Sequence, residues 1–448
     1  MAGRRRFEET GWRTPGPAKL KEEAIVADEK DLNRSLQAAG GKAEPAPQAG
    51  KKPGGLAPPK KAGIANVAKA MAPANHKAAA VKAADVADAF DFDTAMHMAF
   101  VGAGQGGGKI AQAFWDIGYR RIGAFNTTDS DFDGLAQDIP KMSLDIGGAA
   151  KDMNLARNAL KGHDEDVWDL FTRAWGGKFD CALVCVGLGG GSGSGSALPL
   201  VTLARKYMAA KGLPARVGAI VSLPSVDEGQ QVARNAVTAF KELLAARVSP
   251  LVVIDNDKVD ALYAPAMSQL LPKSNELVSQ LLHQFNKLAA AKSKHITFDR
   301  AEFAQLLDGG IVVMGAVDLP VEELNSPADV SAAIKDQLAN NVLADIDLRT
   351  GKKAACVFVA SNQVLDTFGK EYFAAGFTML NRIVGSSHPE GTEVVVHRGL
   401  YPESEEGLQC YTMISELDPP NAKLQALAKE AGLPRGPTST VAKHLNVD

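Results

Sequence analysis

The chain has 448 residues, 46% of them hydrophobic and 23% charged, with a net charge of −3 at pH 7. That length supports two or three domains with large cores, and the near-balance of charge gives no overall argument for or against nucleic acid. Four cysteines (Cys181, Cys185, Cys356, Cys410) sit in apolar runs with no C-x-x-C and no nearby histidine. They read as small buried hydrophobes, which excludes a thiolate metal site and a disulfide framework.

Residues 1–94 differ from the rest. Lys19–Ala39 has the spacing of a short amphipathic helix, and an Ala/Pro/Gly/Lys-rich stretch follows. That stretch has too few large apolar residues to offset the entropy of ordering, so a disordered arm is expected. Lys51, Lys52, Lys60, Lys61, Lys69 and Lys77 make it locally basic. It is either a solubilising tether or a handle for an anionic or adaptor partner. MAGRRRFEET has no apolar core of a signal peptide, and no apolar run reaches about 18 residues, so a cytoplasmic chain without a transmembrane segment is expected.

From Ala95 strands and helices alternate. AMHMAFVGAGQGGGKIAQAFWDIGY reads strand, glycine turn, helix, and contains G-x-G-x-x-G as Gly102, Gly104 and Gly107. It is not a Walker A loop: Ala103 stands where the first glycine belongs, and Ile110 follows Lys109. A second strand ends near Phe125, placing Asn126 to Asp129 where parallel sheets form their ligand crevice. A short strand, a small-residue turn at Gly147–Ala150 and a helix come next.

Phe179–Val186 is apolar enough for a fully buried parallel strand, and Ala197–Ala210 has helical spacing. Between them lies GLGGGSGSGS, Gly187 to Ser196. Glycines there let backbone amides surround an anion at a helix N-terminus, and Ser192, Ser194 and Ser196 add hydroxyl donors. A flexible linker is the alternative, but a linker is not normally clamped between a buried strand and a helix. Strand, loop and helix recur over Ala215–Ala245, with Asp227 and Glu228 in the loop, and Asp255, Asn256 and Asp257 follow another buried strand.

A long helix is expected over Ser274–Lys294, with Leu277, Leu281, Leu282, Phe285 and Leu288 as its apolar stripe. In the following HITFDRAEF, Asp299 and Glu302 have the spacing of a capping box. An α+β region runs to Leu417, and the polar, Pro-containing residues 418–448 read as a flexible tail.

In sum these motifs resemble the tubulin/FtsZ filament-forming GTPases, the FtsZ branch most. GLGGGSGSGS is similar to the family's signature phosphate loop and GAGQGGGK to its first phosphate turn. NTTDSD, GGAAKDMN, LPSVDEG, VIDNDKV and ITFDRAEF resemble further nucleotide and catalytic loops, in the family's order over about Met96 to Leu417.

The resemblance implies a Rossmann-like parallel-sheet GTPase domain (95–273), a central helix (274–295), an α+β C-terminal domain (296–417), and flexible ends at 1–94 and 418–448. It implies GTP/GDP and Mg²⁺ as ligands and head-to-tail self-assembly, in a role such as cell division or DNA or organelle positioning. Nucleotide contacts would come from Gly104, Gln105, Gly106, Gly107 and Lys109. Asn126, Asp129, Gly148 and Ala149 would add to them, as would Gly189, Gly190, Gly191, Ser192, Gly193, Ser194 and Gly195. Glu228 would meet the ribose, and Asn256 and Glu276 the guanine. Asp299 and Glu302 would act catalytically on the next subunit's nucleotide.

The sequence departs from the family pattern at several positions. Thr297 replaces the catalytic-loop Asn, Glu302 its second Asp, Glu276 the base-reading Asp, and Pro272 the stacking aromatic. Arg234 lies two residues beyond the ribose-loop Arg, Lys109 is an added cation, and the tail lacks the apolar peptide that binds membrane anchors. Two other readings are a filament scaffold with little hydrolysis and an NAD(P)-binding oxidoreductase using Gly102, Gly104 and Gly107.

Overall fold

The structure, a computed structural model, describes residues 93–263, 267–340, 343–389, 391–403 and 407–433. The expected arm lies outside them except for its last two residues.

Among the described residues ten strands form one sheet. In chain order they are β1 (Met98–Ala103), β2 (Ile122–Asn126), β3 (Lys141–Ser143), β4 (Cys181–Gly187), β5 (Val217–Leu223), β6 (Leu251–Asp255), β7 (Ile311–Asp318), β8 (Lys353–Ser361), β9 (Val395–Glu403) and β10 (Leu408–Ser415). Their spatial order is β3-β2-β1-β4-β5-β6-β7-β10-β8-β9. β1 to β7 pair in parallel, and β10 is antiparallel to both its neighbours, β7 and β8. The expected C-terminal α+β region therefore continues the same sheet. The splice is short: β6 and β7 pair only at Leu251↔Ile311 and Val252↔Val312.

Strand alternation divides the core between the two faces. Ala182, Val184 and Val186 of β4 face one side, where they join residues of α2 (Met153–Leu160), α3 (Asp164–Trp175), α4 (Gly191–Ala210) and α5 (Gln230–Ala245). Cys181, Leu183 and Cys185 face the other, with α1 (Gly104–Asp116) and α7 (Met267–Leu288). The cysteines are buried and free, as expected, and burial pushes the Cys181 thiol up to about 12.

Three expected boundaries are corrected. The glycine loop is shorter than its composition suggests, because Gly191–Ser196 already form the start of α4. Glycine and serine are poor helix formers, but here packing holds them. A Cβ on Gly195 would stand 2.4 Å from Met153 O, and Ser196 Oγ donates to Ser192 O at 2.7 Å. Pro199 has no amide to offer Gly195 O, which instead accepts from Arg157 Nε at 3.5 Å.

Secondly, α7 begins before Ser274, includes Pro272, and ends at Leu288 rather than near Lys294. AAAKSK favours helix by propensity. Tertiary contacts override it: Ser293 Oγ donates to Leu400 O and accepts from the His295 amide, turning the chain toward β9.

Thirdly, the tail is not wholly irregular. Following α6 (Asn256–Tyr263), α8 (Arg300–Leu307), α9 (Pro327–Asn340), α10 (Asn362–Thr367) and α11 (Lys370–Ile383), a last helix, α12 (Asn421–Glu430), buries Leu424 and Leu427. No helix among the described residues is long and apolar enough to cross a membrane.

Candidate nucleotide site

The C-terminal ends of β1, β4, β5 and β6 open into a cleft of about 540 Å³. Its floor is the junction of the two glycine turns. Gly104, Gln105, Gly106 and Lys109 line it from α1, and Gly190, Gly191, Ser192 and Gly193 from the start of α4. Both helices therefore present unpaired N-terminal amides to the same space, which favours an anion.

The turns touch through backbone. A Cβ on Gly104 would lie 2.8 Å from Gly193 N, and one on Gly106 3.2 Å from Gly187 Cα. Gly104 also has φ +69°, a left-handed conformation that glycine adopts without penalty. Gly190 is different: its φ is −70° and nothing lies within 4 Å of a Cβ built there.

Not every expected glycine or serine lines the cleft. Gly107 packs against Cys185 O, where a Cβ would stand 2.0 Å away, and Gly189 packs against Val232. Ser194 Oγ accepts from the Gly189 amide at 2.9 Å, and Gly195 lies against α2. These four hold the shape of the turns from behind.

The wall beyond them is the loop over residues 145–151. Gly148 and Ala149 line the cleft, and Gly147, Ala150 and Lys151 join them. Asp145, Gly147, Gly148, Ala150 and Lys151 all have positive φ, three of them without being glycine. Such angles cost about 1–3 kcal/mol each outside glycine and turn successive amides in unusual directions. Asn235 of α5, almost wholly buried, braces the loop: its Nδ2 donates to Lys151 O at 2.7 Å and to Gly189 O at 2.9 Å. One side chain thus joins the loop to the second glycine turn.

After β2 the expected residues are Asn126 and Asp129, yet the cleft is lined by Thr128, Ser130 and Asp131. Asn126 is buried and spans the turn: its Oδ1 accepts from the Thr127 amide and its Nδ2 donates to Asp131 Oδ2 at 3.0 Å. Asp129 is exposed. Thr127 and Ser192 hydroxyls meet at 2.5 Å, linking this turn to α4.

At the far end of the cleft stand Glu228, Asn256 and Asn275. Asn256 is more than nine-tenths buried, and its Oδ1 has no hydrogen-bond partner among the described residues. The residue lines the cleft, and a buried carbonyl left without a donor carries an uncompensated desolvation cost. Glu276 does not line the cleft. It pairs with Lys273 at 3.0 Å and accepts from Gln280 Nε2 at 3.1 Å. Asn275, the preceding residue, lines it instead. One helical residue is a rotation of about 100°, so motif spacing alone did not separate the two. Arg234 also lies elsewhere, donating to Ala431 O at 3.1 Å.

Asp299 and Glu302 are remote from this cleft. Asp299 caps α8, and the neighbouring Arg300 donates to Asp180 Oδ1 at 2.7 Å. Asp180 immediately precedes β4, whereas the glycine turn immediately follows it. Seven strand residues at about 3.3 Å each put the two ends roughly 23 Å apart.

A family described as tubulin-like matches residues 149–277. Cell division protein FtsZ 1 of Pyrococcus horikoshii is 27% identical over 219 residues, covering 48% of this chain and 54% of that protein. Tubulin-like protein CetZ2 of Haloferax volcanii is 26% identical over 271 residues, 56% of this chain and 72% of that protein. The chain spans about half the length of the Pyrococcus relatives it matches. Among solved structures, a GTPγS-form protofilament of TubZ from Bacillus thuringiensis serovar israelensis superposes with a TM-score of 0.64 at 19% identity, over 76% of this chain and 92% of that one. A GTPγS-bound protofilament of CetZ2 from Haloferax volcanii gives 0.62 at 19% identity, over 75% and 99%.

Proposed function

The chain is a divergent member of the tubulin/FtsZ family, and on that premise we propose that it binds GTP in the cleft and assembles head to tail, hydrolysing the nucleotide where two subunits meet. The amides of the two glycine turns, with Lys109 and Lys151, receive the phosphates. The loop over 145–151 closes on the outermost one. Asn256 and Asn275 take the base, and Glu228 the ribose.

The carboxylates among the lining residues are Asp131 and Glu228. Mg²⁺, which is commonly held by one or two carboxylates together with substrate phosphates, fits such a site and would supply neutralisation of phosphate charge.

The observation that carries the shared-site reading is the tie between Arg300 and Asp180. It supports an Asp299 at the opposite end of the sheet from its own cleft. A second copy stacked along the strand direction brings its Asp299 over the first copy's nucleotide. There the carboxylate orients a water in line with the terminal phosphorus; the water's oxygen bonds to phosphorus as the bridging P–O bond breaks, its proton passes to the phosphate or to solvent, and GDP and phosphate leave. A contact of this heterologous kind propagates into a filament. The polymer would serve a process such as cell division or DNA or organelle positioning.

Phosphate release measured against protein concentration tests this. Specific activity should rise above a threshold that coincides with polymer in sedimentation, and constant turnover per subunit without polymer would overturn it.

One observation favours a slow or non-hydrolysing polymer as the second reading. Glu302 is already engaged, by the Asp299 amide and by His397 Nδ1 at 3.1 Å. The oxidoreductase reading has less support, because Gly102 and Gly107 serve backbone packing. A Cβ on Gly102 would stand 2.7 Å from Gly107 O.

A further inference from the structure

The junction of β6 and α6, where Asn256 sits, is held by a residue far along the chain. Lys423 of α12 reaches Asp255 Oδ1 at 2.6 Å and Asp257 Oδ2 at 2.5 Å. The two aspartates flank Asn256 in sequence, so one ammonium brackets a residue that lines the cleft. Lys423 and Asp255 are both almost wholly buried. Burial pushes the Asp255 carboxyl above its ordinary value in spite of Lys423. Asp257 is less buried, and hydrogen bonds from Lys423 and Ser225 outweigh its burial and hold it below.

The bridge extends to the neighbouring turn at the same end of the cleft. Asp255 Oδ1 also accepts from the Asp257 amide at 3.1 Å, and Asp257 Oδ2 from the Val226 amide at 3.4 Å. Val226 opens the turn Val226–Glu228, which carries Glu228 into the cleft. The helix is itself anchored, by Leu424 and Leu427 in the core and by Arg234 on Ala431 O. A buried ion pair of this kind is weak evidence for net stability, because desolvation offsets the attraction. What it does fix is geometry.

We propose that Lys423 is a positioning residue for the base. By holding Asp255 and Asp257 together it sets the direction of the Asn256 carboxamide, so the C-terminal helix tunes which purine the cleft prefers. This rests on the guanine-nucleotide reading above.

The test uses the full chain below its assembly concentration, with GDP and ADP as ligands. Wild type should prefer GDP. Lys423→Met should lower that preference about tenfold, chiefly by weakening GDP, as expected when one buried hydrogen bond is misaligned. Lys423→Arg should retain more of it than Lys423→Met. In an Asn256→Ala background, Lys423→Met should change the ratio no further, since it acts through Asn256. An unchanged ratio in folded Lys423→Met, or additive effects in the double variant, would overturn the proposal. Should Lys423→Met not fold, Asp257→Asn loosens the same bracket at a half-exposed carboxylate, and an unchanged ratio there overturns it equally. A wild type indifferent between GDP and ADP would instead remove the base reading on which the proposal stands.

Discussion

Asp299 and Glu302 cap one another: the Glu302 amide donates to Asp299 Oδ1 at 2.9 Å, and the Asp299 amide to Glu302 Oε2 at 3.0 Å. The local role and the proposed catalytic one can therefore be separated. Asn caps a helix about as well as Asp, whereas Ala loses about 0.5–2 kcal/mol. Asp299→Asn should leave the thermal midpoint unchanged and slow phosphate release by about a hundredfold or more, the order that one positioned acid–base group supplies. Asp299→Ala should do both kinds of damage. Equal turnover in Asp299→Asn and wild type would remove Asp299 from the chemistry.

Gly190→Val should block nucleotide while sparing the fold. The backbone there suits any residue, a Cβ would have nothing within 4 Å, and the position lines the cleft. Mixed with Asp299→Asn, it should restore part of the turnover, each partner supplying the half-site the other lacks. Absence of rescue in mixed polymers would count against a site shared between subunits.

Asn275 should matter more than Glu276 for nucleotide affinity. The first lines the cleft, and the second is occupied by Lys273 and Gln280. Asn275→Ala should weaken GDP binding by about 1 kcal/mol or more, the typical worth of one hydrogen bond, with Glu276→Gln nearly neutral. The reverse order in titration calorimetry would restore the motif-based assignment.

Acid should destabilise the protein through His283. Burial, with Lys287 adding, lowers its pKa from 6.5 to about 4, and its Nδ1 lies 3.2 Å from the Tyr119 hydroxyl. The unfolded chain binds the proton more readily, so the stabilisation is complete above pH 6.5 and is lost as pH falls toward 4. The slope approaches about 1.4 kcal/mol per pH unit. Denaturant midpoints between pH 7 and 4 check this, and His283→Gln should flatten the profile.

Ile296→Lys should raise the assembly threshold without changing GDP affinity. Ile146, Leu155 and Ile296 are the exposed large hydrophobics among the described residues. Ile146 adjoins the cleft wall at Gly147, and Ile296 lies three residues before Asp299. Under head-to-tail stacking these belong to the two surfaces that meet. Sedimentation with an unaltered threshold would place the contact elsewhere.

What the sequence revealed and what it hid divide along physical lines. Alternating buried strands and amphipathic helices were legible through β7, because a parallel sheet covered on both faces demands continuous apolar runs. The two glycine turns were legible too. The direction of side chains was not: Asn275 against Glu276, and Asp131 against Asp129, differ by one or two positions whose orientation only tertiary packing decides. The start of α4 was hidden by glycine and serine, whose propensities disfavour the helix they form here. α12 was hidden by flanking prolines, although Lys423, Leu424 and Leu427 have helical spacing. The positive φ of Ala150 and Lys151 had no signal in residues that rarely adopt it.

The backbone contact between the glycine turns sets a limit on recombination. Gly104 meets Gly193 and Gly106 meets Gly187 with no side chain between them to absorb a mismatch. A chimera that takes one turn from a distant homologue and keeps the other would set two unmatched backbones against each other. The transplantable module is the pair together with the two strands that aim it, while the base end, built from side chains, can be exchanged one residue at a time.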